Sequence, residues 1–161
     1  MMRGVWQRMF WNISDECWRA VAAQLEPGMR TLETGSGRST ALFEQAGCAH
    51  VALEHDPRYR VSCASVVLAP LTGDPPWYDW APPHPFDLVL IDGPPWWIGR
   101  AGILRVLPRV LHERSVIVMD DTHRRAERRL AARIAAAYSL RIDHHRGSIP
   151  GLSRGFSVLA R

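Results

Sequence analysis

The sequence predicts a single doubly wound α/β domain, and three observations predict it. Two runs, "FDLVLID" at 86–92 and "SVIVMDD" at 115–121, are near-continuous Val, Ile and Leu and end in acid, the pattern of strands buried on both faces of a parallel sheet. A glycine turn, "TLETGSGRST" at 31–40, joins a short apolar lead-in to a helical stretch. Apolar runs and helical stretches then alternate along the chain.

Length and composition agree with this class. The chain has 161 residues, enough for one domain with a real core, and its 47% hydrophobic and 22% charged content is ordinary for a globular protein. No apolar run nears the ~20 residues of a membrane span. The N-terminus, "MMRGVWQRMFWNISDECW", is interrupted by polar residues and does not read as a signal peptide. Cys17, Cys48 and Cys63 form no CxxC pair, which argues against a disulfide framework or a zinc site and fits a cytoplasmic setting. The formal charge of +4 comes from 20 arginines and no lysine, which excludes lysine-base and Schiff-base chemistry.

The elements follow in order. Residues 14–25 read as a helix with Ser14 as N-cap, and Trp18, Val21, Ala22 and Leu25 share one face; Pro27-Gly28 ends it. Strands are expected at Met29–Leu32, Val51–Leu53, Ser65–Leu68, Phe86–Ile91 and Val116–Met119, then at Leu140–Ile142 and Phe156–Leu159. Helices are expected at Ser39–Gln45, Arg100–Leu111 and His123–Tyr138. Between Asp56 and Ser65 a full crossover helix barely fits, and the Pro- and Trp-rich residues 70–85 read as a long irregular loop walling a site. Residues 1–28 are expected to form an N-terminal helical segment or cap, and residues 29–161 the ligand-binding domain.

In an open parallel sheet, ligands bind beyond the carboxyl ends of the strands, where strand order reverses. Glu33, Glu54, Asp92, Asp120 and Asp121 all fall at such ends. Gathered on one rim they repel each other unless a ligand, metal or donor balances them; for Asp120 and Asp121 the alternative is helix capping. Glu54 lies seventeen residues after Gly37, near the spacing of about twenty between a glycine turn and a ribose-binding acid. Thr40 stands where a dinucleotide fingerprint has its third glycine, and Glu33 precedes the turn. Both disfavour a pyrophosphate and favour a cationic nucleoside.

"LETGSGRST" with "ALEHD", "FDLVLIDGPP" and "VIVMDD" resembles the class I S-adenosylmethionine-dependent methyltransferases, over roughly residues 29–160. The chain is particularly similar to bacterial sequences carrying "GSGxST" and "DGPP", and more distantly to metal-dependent O-methyltransferases. The resemblance implies a mostly parallel seven-stranded Rossmann-like sheet of order 3-2-1-4-5-7-6 with the last strand antiparallel, and S-adenosylmethionine as cofactor. It places Glu33, Gly35, Ser36 and Gly37 around the methionine part and sulfonium, Ser39 and Thr40 on its carboxylate, and Glu54 on the ribose. His55 is implied against the adenine, and Asp92 at the amino group or the reacting centre. By likeness to the metal-dependent enzymes, Asp92, Asp120 and Asp121 would hold Mg²⁺; the lysine that those enzymes carry three residues after the first acid is Pro95 here.

Methyl transfer to a hydroxyl requires a positioned nucleophile and a route for its proton. Asp92, Asp121 and His123 are the candidate bases. Trp96 and Trp97 either stack on an acceptor or pack on the proline-rich loop. Arg125, Arg129 and Arg133 share a helix face that reads as solvated, without the aromatic interleaving of a nucleic-acid binder. The expected acceptor is a small molecule or glycan, reached in an open site or in one completed in a homodimer through Trp6, Phe10 and Trp11. Two other readings stay open: a non-catalytic module that binds the nucleoside, and a nicotinamide-dependent oxidoreductase.

Overall fold

The computed structural model describes residues 12–161. Trp6, Phe10 and Trp11, the residues expected to complete the acceptor site, lie outside the described residues. Helix α1 (Asp15–Ala22) starts as expected: the Ser14 side chain accepts from the Cys17 amide at 3.1 Å. Strand β1 (Arg30–Thr34) leads through the glycine turn into α2 (Arg38–Gln45), then β2 (Ala49–Glu54) and β3 (Val66–Leu68). A small antiparallel hairpin, β4 (Leu71–Thr72) and β5 (Trp77–Tyr78), precedes β6 (Phe86–Ile91). One turn of helix, α3 (Leu107–Val110), runs into β7 (Leu111–Met119), followed by α4 (Arg125–Tyr138) and the antiparallel pair β8 (Arg141–Ile149) and β9 (Leu152–Ala160).

The large sheet has the order β3-β2-β1-β6-β7-β9-β8, parallel through β7 and antiparallel at β9. Leaving out the hairpin, this is the expected 3-2-1-4-5-7-6. Side chains alternate along β6: Val89 and Ile91 face a core with Ile117, Leu130 and Ile134, while Leu88 and Leu90 face one with Cys17, Val21 and Phe43. Helices thus cover both faces, and each fully buried side chain such as Ile91 contributes roughly 1.5–3 kcal/mol. Among the described residues no helix is long and apolar enough to cross a membrane.

Three expectations are corrected. Residues 100–111 do not form one helix but a 3-10 segment at Ala101–Arg105, then α3, with Leu111 already in a strand. Gly102 lies so tightly under the hairpin that a Cβ would sit 2.7 Å from Trp77 Cβ, and Pro108, lacking an N–H, sits in the first turn of α3. The loop at 70–85 contains the β4–β5 hairpin, and its Trp77 and Tyr78 are buried. The last two strands run nine residues each, because their exposed polar positions continue the ladder past the apolar stretches.

Candidate functional site

Strand order reverses between β1 and β6, and the loops leaving these two strands meet there. Thr34, the last residue of β1, donates through Oγ1 to the Gly93 carbonyl (2.9 Å) and accepts from the Gly93 amide (3.1 Å). A Cβ on Gly93 would lie 3.0 Å from the Gly35 nitrogen and would collide with the Tyr78 hydroxyl, so only glycine permits this approach. Gly35, at φ +93°, uses the left-handed region that glycine enters without cost, and its amide donates to the Leu53 carbonyl at 2.7 Å.

Glu33 does not face the resulting cavity. Buried beneath the turn, it accepts from the hydroxyls of Ser39 and Thr40, the latter at 2.6 Å, with His50 Nε2 3.6 Å away. His50 is itself fixed by Thr31 Oγ1 at 2.9 Å and by stacking on Phe43. Gly37 donates its amide to Thr40 Oγ1 at 3.0 Å. Glu33, Gly37, Ser39 and Thr40 therefore build the turn rather than line the cavity.

Gly35, Ser36, Glu54, His55 and Asp92 do line it. Glu54, buried at the end of β2, is held by four donors. Its Oε1 accepts from the amides of His55 (2.8 Å) and Asp56 (3.0 Å), and its Oε2 from the Ser36 amide (3.2 Å) and hydroxyl (3.3 Å). The Ser36 hydroxyl proton is shared with the Tyr59 carbonyl at 3.1 Å. Such a carboxylate is pre-oriented by its donors, and the Ser36 hydroxyl, which can turn to the Tyr59 carbonyl, is the one a ligand hydroxyl would displace. The cavity has a volume of about 530 Å³, within the usual range for small-molecule sites. Tyr59, Tyr78, Trp96 and Trp97 supply its aromatic wall.

The acids after β6 and β7 converge as expected: one carboxylate oxygen from each of Asp92, Asp120 and Asp121 lies within 4.8 Å of the others. Three arginines occupy the surroundings. Asp121 Oδ1 meets Arg154 Nη2 at 2.9 Å, and its Oδ2 meets both Arg100 Nη2 and Arg124 Nη1 at 3.0 Å. Arg100 Nη2 is also 3.5 Å from Asp92, and Arg154 Nη1 is 3.8 Å from Asp120. Arg100 is buried and donates to the carbonyls of Ile91, Asp92, Pro94 and Asp120, which ties the ends of β6 and β7 together. Asp121 reaches this position from a left-handed backbone, φ +63°, uncommon outside glycine. Burial, then the neighbouring Asp120, pushes the Asp92 carboxyl well above its ordinary range; burial, then Asp121, raises Asp120.

Three hard oxygens suit Mg²⁺ in principle. This set does not fit it: both oxygens of Asp121 are engaged by guanidinium groups, and the three acids already face three arginines. Among the described residues Asp120 Oδ1, Asp120 Oδ2 and Asp121 Oδ1 accept no hydrogen bond and are balanced only by ion pairs, Asp120 with Arg154 at 3.8 Å and Asp121 Oδ1 with Arg154 at 2.9 Å.

His123 is exposed, lies outside the cavity and accepts from the Gly155 amide through Nδ1 at 3.2 Å, bracing β9. It is removed from the candidate bases. Sequence reasoning missed Tyr78, Arg100, Arg124 and Arg154. Tyr78 fell in an expected loop, and nothing in the sequence separates three arginines from the other seventeen.

No family model matches the chain, and no curated protein matches it. Solved structures do. The O-methyltransferase from Bacillus cereus in complex with SAH is 16% identical, with a TM-score of 0.67, over 98% of this chain and 86% of that one. The 1,6-didemethyltoxoflavin-N1-methyltransferase of Burkholderia thailandensis, with 1,6-didemethyltoxoflavin and S-adenosylhomocysteine bound, is 18% identical at a TM-score of 0.65, covering 99% and 81%. The O-methyltransferase TomG of Streptomyces achromogenes, involved in tomaymycin synthesis and solved with SAM, is 15% identical at 0.64, covering 93% and 81%. The chain therefore has the class I fold of S-adenosylmethionine-dependent methyltransferases.

Proposed function

We propose that the protein is an S-adenosylmethionine-dependent methyltransferase that moves a methyl group to an oxygen or nitrogen of a small-molecule or glycan acceptor, in a cytoplasmic setting. The observation that carries the reading is the Glu54 carboxylate, pre-oriented by Ser36 at the strand-order reversal of a sheet with this fold. The solved structures with SAM or SAH bound support it by fold.

Glu54 is assigned the ribose hydroxyls, with the shared Ser36 proton adjusting to them. His55, whose Nδ1 lies 3.2 Å from Glu54, is assigned the adenine edge. The turn at Gly35 and Ser36 passes close to Gly93 and so presents backbone rather than side chains to the methionine part. When bound, S-adenosylmethionine supplies a methyl carbon activated by its sulfonium. The protein's own contribution is to align an acceptor with that carbon, exclude water and remove a proton.

Asp92 is the preferred proton acceptor. It lines the cavity, and its nearest guanidinium nitrogen is 3.5 Å away, whereas Asp121 is pinned on both oxygens. Burial pushes the Asp92 carboxyl above its ordinary range, and a cationic ligand beside it favours the carboxylate. The second reading, a binding module without turnover, is favoured by that same pinning of Asp121 and by the ion pair that ties Asp92 to Arg100. S-adenosylhomocysteine release over a panel of hydroxyl and amine acceptors, with and without Mg²⁺, separates the two. Metal-independent release above background is expected, and binding without release on any acceptor would leave the module reading.

A further inference from the structure

Arg124 differs from the other two arginines of the acid cluster. Arg100 and Arg154 are buried, with side chains 2% and 7% exposed, and between them they already engage both oxygens of Asp121. Arg124 is the third cation on that one carboxylate. Its side chain is 31% exposed and lines the cavity, with Nη1 anchored on Asp121 and its remaining side-chain donors unmatched among the described residues. An anchored guanidinium with free donors facing a cavity is suited to receive a carboxylate in a two-point contact. Arg124 is also the N-cap residue of the 14-residue α4, which has no side-chain cap, so the positive end of that helix adds to the same field.

The adjoining wall is aromatic. Trp96 and Trp97 are 60% and 57% exposed, meet edge to face at 5.8 Å, and line the same cavity together with exposed Leu152. Large apolar side chains left this exposed beside a cavity mark a binding surface.

We infer that the acceptor is a flat aromatic acid, its carboxylate received by Arg124 and its ring by the Trp96–Trp97 wall. This assignment rests on the methyltransferase reading and names the acceptor's chemical class. The carboxylate is the handle by which the acceptor is held; the methylated atom is elsewhere on it.

The test is an equilibrium titration by ligand-observed NMR on protein saturated with S-adenosylhomocysteine, with benzoate and its neutral isostere benzamide as probes. Benzoate is expected to bind below ~10 mM, and benzamide about tenfold more weakly. Arg124→Gln is expected to erase that preference, Arg124→Lys to keep part of it, and Arg129→Gln, on the outer face of α4, to change nothing. Equal binding of both probes, no binding of benzoate, or an unchanged preference in Arg124→Gln overturns the assignment. So does a tenfold loss of S-adenosylhomocysteine affinity in Arg124→Gln with benzoate unaffected, which would give Arg124 to the cofactor's carboxylate. If S-adenosylhomocysteine itself does not bind, the methyltransferase reading fails and takes this one with it; if it binds and benzoate does not, only the acceptor assignment fails.

Discussion

The Ser36 amide donates to Glu54 Oε2 at 3.2 Å, tying the glycine turn after β1 to the acid that closes β2. One carboxylate thereby fixes both halves of the proposed nucleoside site. Glu54→Ala is expected to weaken S-adenosylhomocysteine binding by ~1–3 kcal/mol through loss of charge-assisted hydrogen bonds. Calorimetry checks this, and unchanged affinity would mean that Glu54 serves only to hold the turn.

Arg100 is the hub of the acid cluster, bridging Asp92 and Asp121 and four backbone carbonyls. Arg100→Met removes a buried cation from between carboxylates and is expected to cost roughly 3–5 kcal/mol in denaturant unfolding. A loss under ~1 kcal/mol would show that water or a relaxed Arg154 replaces it.

Asp92 gives the protein a pH dependence of definite sign. A carboxyl held above its ordinary value near 3.8 favours the folded state at low pH, and that contribution is lost as pH rises through the folded value. Asp92→Asn is therefore expected to melt higher than wild type at pH 8, by roughly a few degrees, with the difference closing toward pH 4. Melting curves across that range decide it; a variant less stable at pH 8 contradicts the burial argument.

His123→Ala is expected to leave turnover unchanged and to lower stability by about 1 kcal/mol, since it removes the acceptor of the Gly155 amide. A large fall in kcat with an unaltered melting curve would return His123 to the catalytic set.

The sheet was legible because its centre is written in runs such as "FDLVLID", whose burial on both faces leaves no other reading. Ser14 and the Gly35 turn were legible for the same kind of local reason, a side chain or backbone freedom that one geometry demands. Glu54 was found by spacing and does line the cavity. Glu33 was misread: its position before the turn suggested a role toward the ligand's charge, but two hydroxyls one turn into α2 absorb it. Proximity in sequence does not reveal which face of β1 a terminal side chain takes. The arginines were illegible because Arg100 and Arg154 come from segments 54 residues apart, and only the fold brings them to one carboxylate.

The most direct test of the central claim is calorimetry of the wild-type chain with S-adenosylhomocysteine and, in parallel, NAD. Saturable heat with S-adenosylhomocysteine and none with NAD is expected. No heat with S-adenosylhomocysteine at concentrations above ~1 mM, or saturation by NAD instead, would contradict it.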